Sequence, residues 1–202
     1  MTYIEVDQRS AGWFEARVGK ITASRAKASM DFLKSGKEGS DRKKLRRALA
    51  GERITGVPAQ VYVNFAMQRG TDLEPEARDH YHKTTGNIVV EVGFYQHPSL
   101  SCSGASPDGL VGDDGLLEIK CPALETHIGY IEDDEVPEDY KAQMTLQMIC
   151  TGRKWCDFCS YYPGLPLFIK RYFLDEAFVK EVESAIVKLD EEVIELVKKI
   201  LQ

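Results

Sequence analysis

Two carboxylates and a lysine surround one tight turn in this sequence. Residues 106–122 read SPDGLVGDDGLLEIKCP and contain Asp108, Glu118 and Lys120. Glycine and aspartate fill positions 112–115, a composition that predicts a tight turn between two strands. Glu118 and Lys120 are two apart on the second strand, so their side chains point to the same face. The turn can bring Asp108 back alongside Glu118.

Two carboxylates in one small volume repel each other, and one pKa rises unless a cation lies between them. The sequence therefore predicts a site for a hard divalent cation, and Mg²⁺ takes oxygen ligands while it keeps several waters. Beside such an ion, Lys120 can orient or help to deprotonate a water, or offset the charge of a phosphate.

The spacing of this motif has a known counterpart. Pro107 and Asp108 are followed, after nine residues, by Glu118, one apolar residue and Lys120. This pattern is the signature of PD-(D/E)XK nucleases. A hairpin with surface charges can carry the same residues, so the motif alone leaves a structural interpretation open.

Length and composition limit the class of protein. The chain has 202 residues, of which 43% are hydrophobic and 29% charged. That is enough for one compact domain with a hydrophobic core, and the nuclease motif would make residues 1–202 a single PD-(D/E)XK domain. No run of about 18 apolar residues appears, and the first residues lack the apolar core of a secretory signal. We therefore expect no membrane segment and a cytoplasmic location.

The five cysteines are an odd number, which indicates reduced thiols in a cytosol. Cys156 and Cys159 form a C-x-x-C within KWCDFCSYY, whose alternation predicts a strand. Because residues i and i+3 of a strand point to opposite faces, we expect two core thiols rather than a metal site or a disulfide.

Charge is distributed unevenly along the chain. The net charge of −6 disfavours a general nucleic-acid binder. Residues 34–53 nevertheless contain eight lysines and arginines, and the C-terminal third is acidic. A basic lobe can meet phosphate locally, but the same segment can equally be a solvated helix face.

The hydrophobic pattern predicts the elements that position these residues. Helices are predicted near residues 10–18, 22–33, 41–55, 61–84, 138–151 and 175–201. Strands are predicted near residues 88–96, 99–105, 115–121, 154–162 and 167–174. This order predicts an α/β (α+β) fold, a sheet covered by helices.

The last predicted helix carries an apolar heptad seam. Its members are Val179, Val182, Ile186, Leu189, Val193, Leu196 and Ile200. The seam is short for an independent coiled coil. Packing on the chain's own sheet is one interpretation, and a subunit contact is the other.

Four motifs occur in the order found in one protein family. They are WFEARVGKITAS (13–24), RGTDLEPEAR (69–78), SPDGL…LEIKCP (106–122) and KAQMTLQM (141–148). Together they resemble the phage lambda exonuclease family, the viral-type recombination exonucleases of the PD-(D/E)XK superfamily. The resemblance covers most of the chain, but residues 34–64 and the C-terminal helix contribute little to it.

The resemblance implies a metal-dependent 5′→3′ exonuclease that acts on the ends of double-stranded DNA. Such an enzyme releases 5′-mononucleotides and leaves a 3′ single strand for annealing-type recombination. The resemblance also implies a restriction-endonuclease-like fold with a central mixed sheet, a homotrimeric ring, a single-strand annealing protein as partner and the cytosol of a bacterial host. The alternatives are a structure-specific or nicking PD-(D/E)XK endonuclease and a DNA-binding subunit without catalysis.

By position, the resemblance assigns the metal ligands to Asp108, Glu118, the Ile119 carbonyl and Glu74. They would hold one or two Mg²⁺ ions, for which Mn²⁺ can substitute. Lys120 corresponds to the residue that positions the attacking water. Residues 71–74 also fit a helix capping box, and Pro75 could open a helix, so Glu74 has a structural alternative.

The resemblance assigns a 5′-phosphate pocket to Arg17, Ser24, Ser106 and Gln143. An arginine offers phosphate a planar fork of donors, and Gln143 is also expected to act beside the catalytic residues. The alternative for Arg17 is the surface of an amphipathic helix. The alternative for Gln143 and Gln147, which share a helix face, is a polar pair in the core.

Three further residues are assigned to DNA contact, namely Lys34, Met67 and Gln147. Lys34 corresponds to a basic residue near the DNA. Met67 corresponds to an apolar residue that wedges the duplex end, because an apolar side chain can separate stacked bases. The alternative for Met67 is a place in a helix core.

Overall fold

The structure is a computed structural model that describes residues 2–59 and 65–202. Strands and helices are mixed along the chain, which confirms the predicted α/β class. The described strands are β1 (Thr2–Ile4), β2 (Ile21–Thr22), β3 (Val89–Val90), β4 (Phe94–Gln96), β5 (Ser103–Ala105), β6 (Gly109–Val111), β7 (Gly115–Lys120), β8 (Trp155–Ser160) and β9 (Phe168–Phe173). The described helices are α1 (Ala11–Arg17), α2 (Ala26–Ser29), α3 (Ser40–Thr55), α4 (Phe65–Thr85), α5 (Leu124–Asp133), α6 (Glu138–Thr151) and α7 (Glu176–Leu201), and a 3₁₀ turn covers Ala23–Arg25.

The larger of the two described sheets places β7 at its centre, in the order β3-β6-β7-β8-β9. β7 and β8 run parallel, with Glu118 opposite Phe158, and the other pairs are antiparallel. Parallel neighbours need a crossover, which α5 and α6 supply between β7 and β8. The prediction of a central mixed sheet flanked by helices is therefore confirmed.

Helices cover both faces of this sheet. On one face, Tyr81 of α4 belongs to a hydrophobic cluster with Leu117 and Ile119. On the other face, Met144 of α6 packs in a cluster with Leu116. A strand buried on both sides needs apolar residues at successive positions, which explains why β7 reads as an apolar run interrupted by the charges of the motif.

The two cysteines of the C-x-x-C lie on opposite faces of β8. Cys156 belongs to the cluster on the α6 side and Cys159 to the cluster on the α4 side. Both are fully buried free thiols. The prediction of two core thiols is confirmed.

The smaller described sheet has the order β1-β4-β5-β2. Ile21 of β2 lies opposite Ser103 of the parallel strand β5, and the Ser103 hydroxyl donates to the Ile21 carbonyl at 2.8 Å. The helix predicted over residues 22–33 is therefore wrong at its start, where a strand and a 3₁₀ turn precede α2. Pairing with a segment 82 residues away decided this conformation, and a local pattern does not encode it.

The apolar seam of α7 packs mainly on helices. Its central members Val182, Ile186, Leu189 and Val193 are fully buried. They share one hydrophobic cluster with residues of α2, α3 and α6. The same cluster includes Ile21 of β2 and Ala105 of β5, so α7 packs within its own chain as predicted, but its main partners are helices. The middle of the seam is filled by the chain's own residues instead of by another subunit.

Some described elements have no counterpart in the sequence-based prediction, namely β1, β2, β6 and α5. These strands are two or three residues long, too short to show an alternating pattern. α5 exposes most of its residues, so an apolar period does not mark it. The predicted helix start at residues 61–64 lies outside the described residues. Within residues 2–59 and 65–202, the helices are too short or too polar to cross a membrane.

Candidate active site

The hairpin formed by β6 and β7 brings the two carboxylates and the lysine of the motif together. Gly109 pairs with Leu117 across the hairpin, so Asp108, just before Gly109, lies beside Glu118. The main-chain N–H of Ile119 donates to Asp108 Oδ2 at 2.6 Å. Lys120 Nζ lies 2.5 Å from Glu118 Oε1. The local geometry expected from the turn is therefore present.

Glu118 is buried, and Asp108 and Lys120 are partly buried. Burial, followed by repulsion from Glu118, raises the pKa of Asp108 well above its usual value. Burial would lower the pKa of Lys120, but Glu118 and Asp108 outweigh it and raise that pKa. One ammonium group faces two carboxylates here, and the excess of negative charge favours a further cation.

Two glutamines of α6 hold the Glu118 carboxylate from the other side. Gln143 Nε2 donates to Glu118 Oε1, and Gln147 Nε2 donates to Glu118 Oε2, each at 2.6 Å. Gln147 is fully buried, and its Oε1 has no hydrogen-bond partner. This burial contradicts the predicted DNA contact of Gln147 and makes the residue a support for Glu118. Gln143 lies against the same carboxylate, as expected for a residue of the site.

Glu74 lies in the middle of α4, beside the hairpin. It forms ion pairs with Arg9 and with Arg78, the latter at 2.8 Å. Arg78 also donates to the main-chain carbonyl of Asp108 at 3.3 Å. The capping alternative for Glu74 is wrong, because Pro75 lies inside the helix instead of opening it. Each carboxylate oxygen of Glu74 contacts an arginine. For Glu74 to act as a metal ligand, the side chain of Arg9 or of Arg78 would have to move.

The oxygen groups at the hairpin are of the kind that Mg²⁺ prefers. Within residues 2–59 and 65–202, no three cysteine, histidine or acidic side chains converge as a metal-ion cluster. Asp108 and Glu118 provide carboxylate oxygens, and the N–H bond to Asp108 places the main chain of Ile119 next to them. Mg²⁺ is commonly held by one or two carboxylates with waters completing its shell. This donor set therefore fits Mg²⁺, or Mn²⁺ in its place.

A pocket of donors lies next to the carboxylates. Trp13 Nε1 donates to Ser106 Oγ at 2.8 Å, and Arg17 Nη1 lies 3.5 Å from the same oxygen. The Arg17 guanidinium also stacks on the Trp13 ring, 3.9 Å from its centre. Burial, followed by repulsion from Arg25, lowers the pKa of Arg17 to about 10, so it stays protonated at neutral pH. Arg17 is half-buried, which disfavours the alternative of a solvated surface arginine.

The 3₁₀ turn beside this pocket is tied to α3. Ser24 lies in the turn, with its Oγ 3.3 Å from Thr22 Oγ1. Arg25 donates to the buried Glu52 at 2.7 and 3.0 Å, and the Gly19 N–H donates to Glu52 at 2.9 Å. Burial raises the pKa of Glu52, but these donors outweigh it and leave the pKa lowered. Glu52 thus anchors the segment that follows Arg17 and contains Gly19 and Arg25.

Sequence reasoning missed Trp13, Arg25 and Glu52. Trp13 and Arg25 lie in or beside the WFEARVGKITAS motif, so their proximity to Arg17 and Ser24 was a usable signal. Glu52 gave no such signal, because its partners lie 27 and 33 residues away along the chain.

The basic segment is partly neutralised. Arg42 and Arg53 of α3 are paired with Glu192 and Asp190 of α7, both at 2.5 Å. Lys34 precedes α3 and is exposed, so it is available to an anion. The segment is therefore neither a fully free basic patch nor only a solvated helix face.

Met67 lies at the start of α4, seven residues before Glu74. Positions seven apart share a helix face, so Met67 lies on the side of α4 that carries Glu74. Its side chain is 47% exposed, which disfavours the alternative of a helix core.

Comparisons with known proteins identify the family of the chain. Residues 12–154 match the YqaJ-like viral recombinase domain. Two crystal structures of LHK-Exo, an alkaline exonuclease from Laribacter hongkongensis, are 42% identical, with 95% of this chain and 96% of that chain covered. Their TM-scores are 0.87, for the complex with dAMP, and 0.85.

A third structure supports the fold alone. The phage-related exonuclease from Haemophilus somnus 129PT has a TM-score of 0.74 at 15% identity, over 90% of this chain and 96% of that chain. No curated protein matches the chain. The resemblance to viral recombination exonucleases is confirmed, and the chain belongs to the family of YqaJ-like viral recombinase domains.

Proposed function

We propose that this chain is a Mg²⁺-dependent 5′→3′ exonuclease that degrades linear double-stranded DNA to 5′-mononucleotides. The observation that carries the proposal is the short chain distance between a pocket of donors and a pair of carboxylates. Ser106 belongs to the pocket with Arg17, and Asp108 follows two residues later. Two residues span at most about 7 Å, the scale of one nucleotide step. A terminal phosphate bound at Ser106 therefore leaves the next phosphodiester beside the carboxylates.

The proposed metal ligands are Asp108, Glu118, the Ile119 carbonyl and Glu74. When bound there, Mg²⁺ supplies activation of a water and neutralisation of the phosphate charge. Lys120 and Gln143 both contact Glu118, so they lie where they can orient the attacking water. Arg17, Ser24 and Ser106 hold the 5′-phosphate in this proposal.

A relative supports the class of product. LHK-Exo has been solved with dAMP, which is a 5′-mononucleotide. That protein is 42% identical to this chain, and the match covers 95% of this chain. A mononucleotide is accordingly the product that we propose here.

The test uses linear duplex DNA with one labelled, 5′-phosphorylated end. The protein is incubated with this DNA in Mg²⁺, in Mn²⁺ and in EDTA. We expect labelled 5′-mononucleotides with either metal and none in EDTA, and a 3′ single strand should accumulate. A second duplex, labelled at the 3′ end, should release its label only late.

Other outcomes of this test distinguish the alternatives. Cleavage of closed circular or branched DNA, with the linear end left intact, would replace the exonuclease by a structure-specific or nicking endonuclease. Binding of DNA without cleavage in any metal would favour a non-catalytic DNA-binding subunit.

We also propose that the exonuclease works as a homotrimeric ring in a bacterial cytosol, together with a single-strand annealing protein. A ring keeps the remaining strand threaded, so the enzyme would degrade one DNA molecule over many steps. Light scattering of the purified protein measures the assembly, and a mass of one subunit would refute the ring. A trap of unlabelled DNA, added after the reaction starts, measures processivity.

A further inference from the structure

We propose that Trp13 is a positioning residue that fixes Ser106 as a hydrogen-bond donor and holds Arg17 unneutralised for a 5′-phosphate. The inference rests on the proposed function of the pocket as a 5′-phosphate site. It assigns to the indole a selectivity for phosphorylated ends over hydroxyl ends. Trp13 and Arg17 lie four apart on α1, on one face of the helix.

The contact with Trp13 determines where the Ser106 hydroxyl can direct its hydrogen. A serine hydroxyl has one hydrogen and two lone pairs, whereas an indole N–H can only donate. Trp13 Nε1 lies 2.8 Å from Ser106 Oγ, so this oxygen must accept from it. Arg17 Nη1 faces the same oxygen at 3.5 Å, a long contact that occupies the other lone-pair side. The hydroxyl hydrogen is left to donate elsewhere, and phosphate oxygens are acceptors.

The Arg17 guanidinium is held by an aromatic ring and not by a carboxylate. Several arginines of the protein are paired with carboxylates, among them Arg25, Arg42, Arg53 and Arg78. Within residues 2–59 and 65–202, no carboxylate forms an ion pair with Arg17; Glu52 raises its pKa from a greater distance and is itself paired with Arg25. The Arg17 guanidinium lies instead on the Trp13 ring, 3.9 Å from the ring centre. A cation–π contact orients a guanidinium and leaves its charge in place.

With the Ser106 hydroxyl and the Arg17 guanidinium held in this way by Trp13, the pocket presents only hydrogen-bond donors to a ligand. A 5′-phosphate brings acceptor oxygens and negative charge, which such a pocket stabilises. A 5′-hydroxyl end brings neither the charge nor three acceptor oxygens. Selectivity for phosphorylated ends should therefore depend on the indole N–H as well as on Arg17.

The decisive variant is Trp13→Phe, which keeps an aromatic ring under Arg17 and removes the N–H. The readout is the ratio of cleavage rates on 5′-phosphorylated and 5′-hydroxyl duplexes. We expect this ratio to fall about tenfold, the effect of one hydrogen bond to a charged group. Wild-type selectivity in a folded Trp13→Phe protein would overturn the proposal.

Trp155→Phe is the matched control. Trp155 carries the same type of contact, with the Arg171 guanidinium 3.5 Å from its ring centre, but it lies in the central sheet. Its replacement should leave the selectivity at the wild-type value. An equal fall in this control would mean that loss of any stacked tryptophan disturbs the protein, which contradicts a role specific to Trp13.

A double-mutant cycle tests whether Trp13 acts through Ser106. Ser106→Ala removes the hydroxyl that the indole orients. In that background Trp13→Phe should have no further effect on the selectivity, because coupled residues are not additive. Additive losses would show that the indole N–H does not act through Ser106.

Fluorescence gives a readout that does not need catalysis. The chain has two tryptophans, so Trp155→Phe leaves Trp13 as the only source of indole emission. Titration with 5′-dAMP and with inorganic phosphate should change this emission, and deoxyadenosine should not. Arg17→Ala should abolish the response. The absence of a response to 5′-dAMP would refute the pocket, even if the protein cleaves DNA. A response from a protein that cleaves no DNA would support the pocket and refute the exonuclease.

Discussion

At the scale of single residues, Lys120 is held by contacts with a carboxylate and an aromatic ring. Its ammonium lies 2.5 Å from Glu118 and 4.9 Å from the centre of the Tyr140 ring. The two neighbouring carboxylates raise its pKa despite burial. A protonated lysine is a donor, so in this arrangement Lys120 is suited to orienting a water more than to accepting its proton.

Replacing Lys120 by alanine should lower the cleavage rate by several orders of magnitude and leave DNA binding intact. The reason is that the variant loses a cation that interacts with both carboxylates. Rates on the labelled duplex measure the first effect, and a gel shift in Ca²⁺ measures the second. Lys154→Ala is the control, because Lys154 pairs with Asp114 of the same hairpin but is exposed. Near-normal cleavage by Lys120→Ala would remove this residue from the mechanism.

At the scale of elements, α7 indirectly supports the pocket loop, the segment from Gly19 to Arg25 that Glu52 binds. α7 packs on α3, and α3 holds the pocket loop through Glu52. The apolar seam of α7 that the heptad pattern predicted is present, and its main partners are helices. Periodicity indicates which face of a helix is apolar, and it carries no information about what covers that face.

Two isoleucines of α7 give a matched test of this packing. Ile186 is fully buried and Ile194 is 41% exposed. Ile186→Ala should lower the free energy of unfolding by about 2–5 kcal/mol, because it removes a core side chain and leaves a cavity. Ile194→Ala should change it by about 1 kcal/mol or less. Urea denaturation measures both, and equal losses would contradict the buried seam.

At the scale of the whole molecule, His97 links the smaller sheet to α7. Its Nδ1 accepts from the N–H groups of Ser99 and Leu100 at 3.2 and 3.0 Å. Its Nε2 lies 3.2 Å from Glu183 of α7. Burial lowers the pKa of His97, although Glu183 opposes the shift. Protonation of Nδ1 would cost both main-chain hydrogen bonds.

This lowered pKa predicts how stability depends on pH. The unfolded state binds a proton near pH 6.5, and the folded state binds it only at lower pH. His97 therefore favours folding above about pH 6.5 and destabilises the protein as the pH falls through that value. The free energy of unfolding should decrease between pH 7.5 and 5.5. His97→Asn, which keeps an acceptor and does not titrate, should reduce that decrease, and an unchanged pH dependence would contradict the assignment.

The sequence by itself determined the parts of the site that depend on local geometry. Glu118 and Lys120 share a face because side chains alternate along a strand, and a tight turn returns Asp108 to them within a few residues. Gln143 and Gln147 share a helix face for the corresponding reason in α6. The family resemblance was likewise readable from the ordered motifs, and the mixed α/β class from the order of the predicted helices and strands.

Only the tertiary structure decided which distant groups complete the site. Trp13 meets Ser106 across 93 residues, and Arg9 meets Glu74 across 65. β2 forms a strand because β5 lies beside it, and α7 covers helices because α3 and α6 lie beneath its seam. Such contacts join segments whose local patterns are independent of each other, so periodicity and spacing could predict the faces of the elements and not their partners.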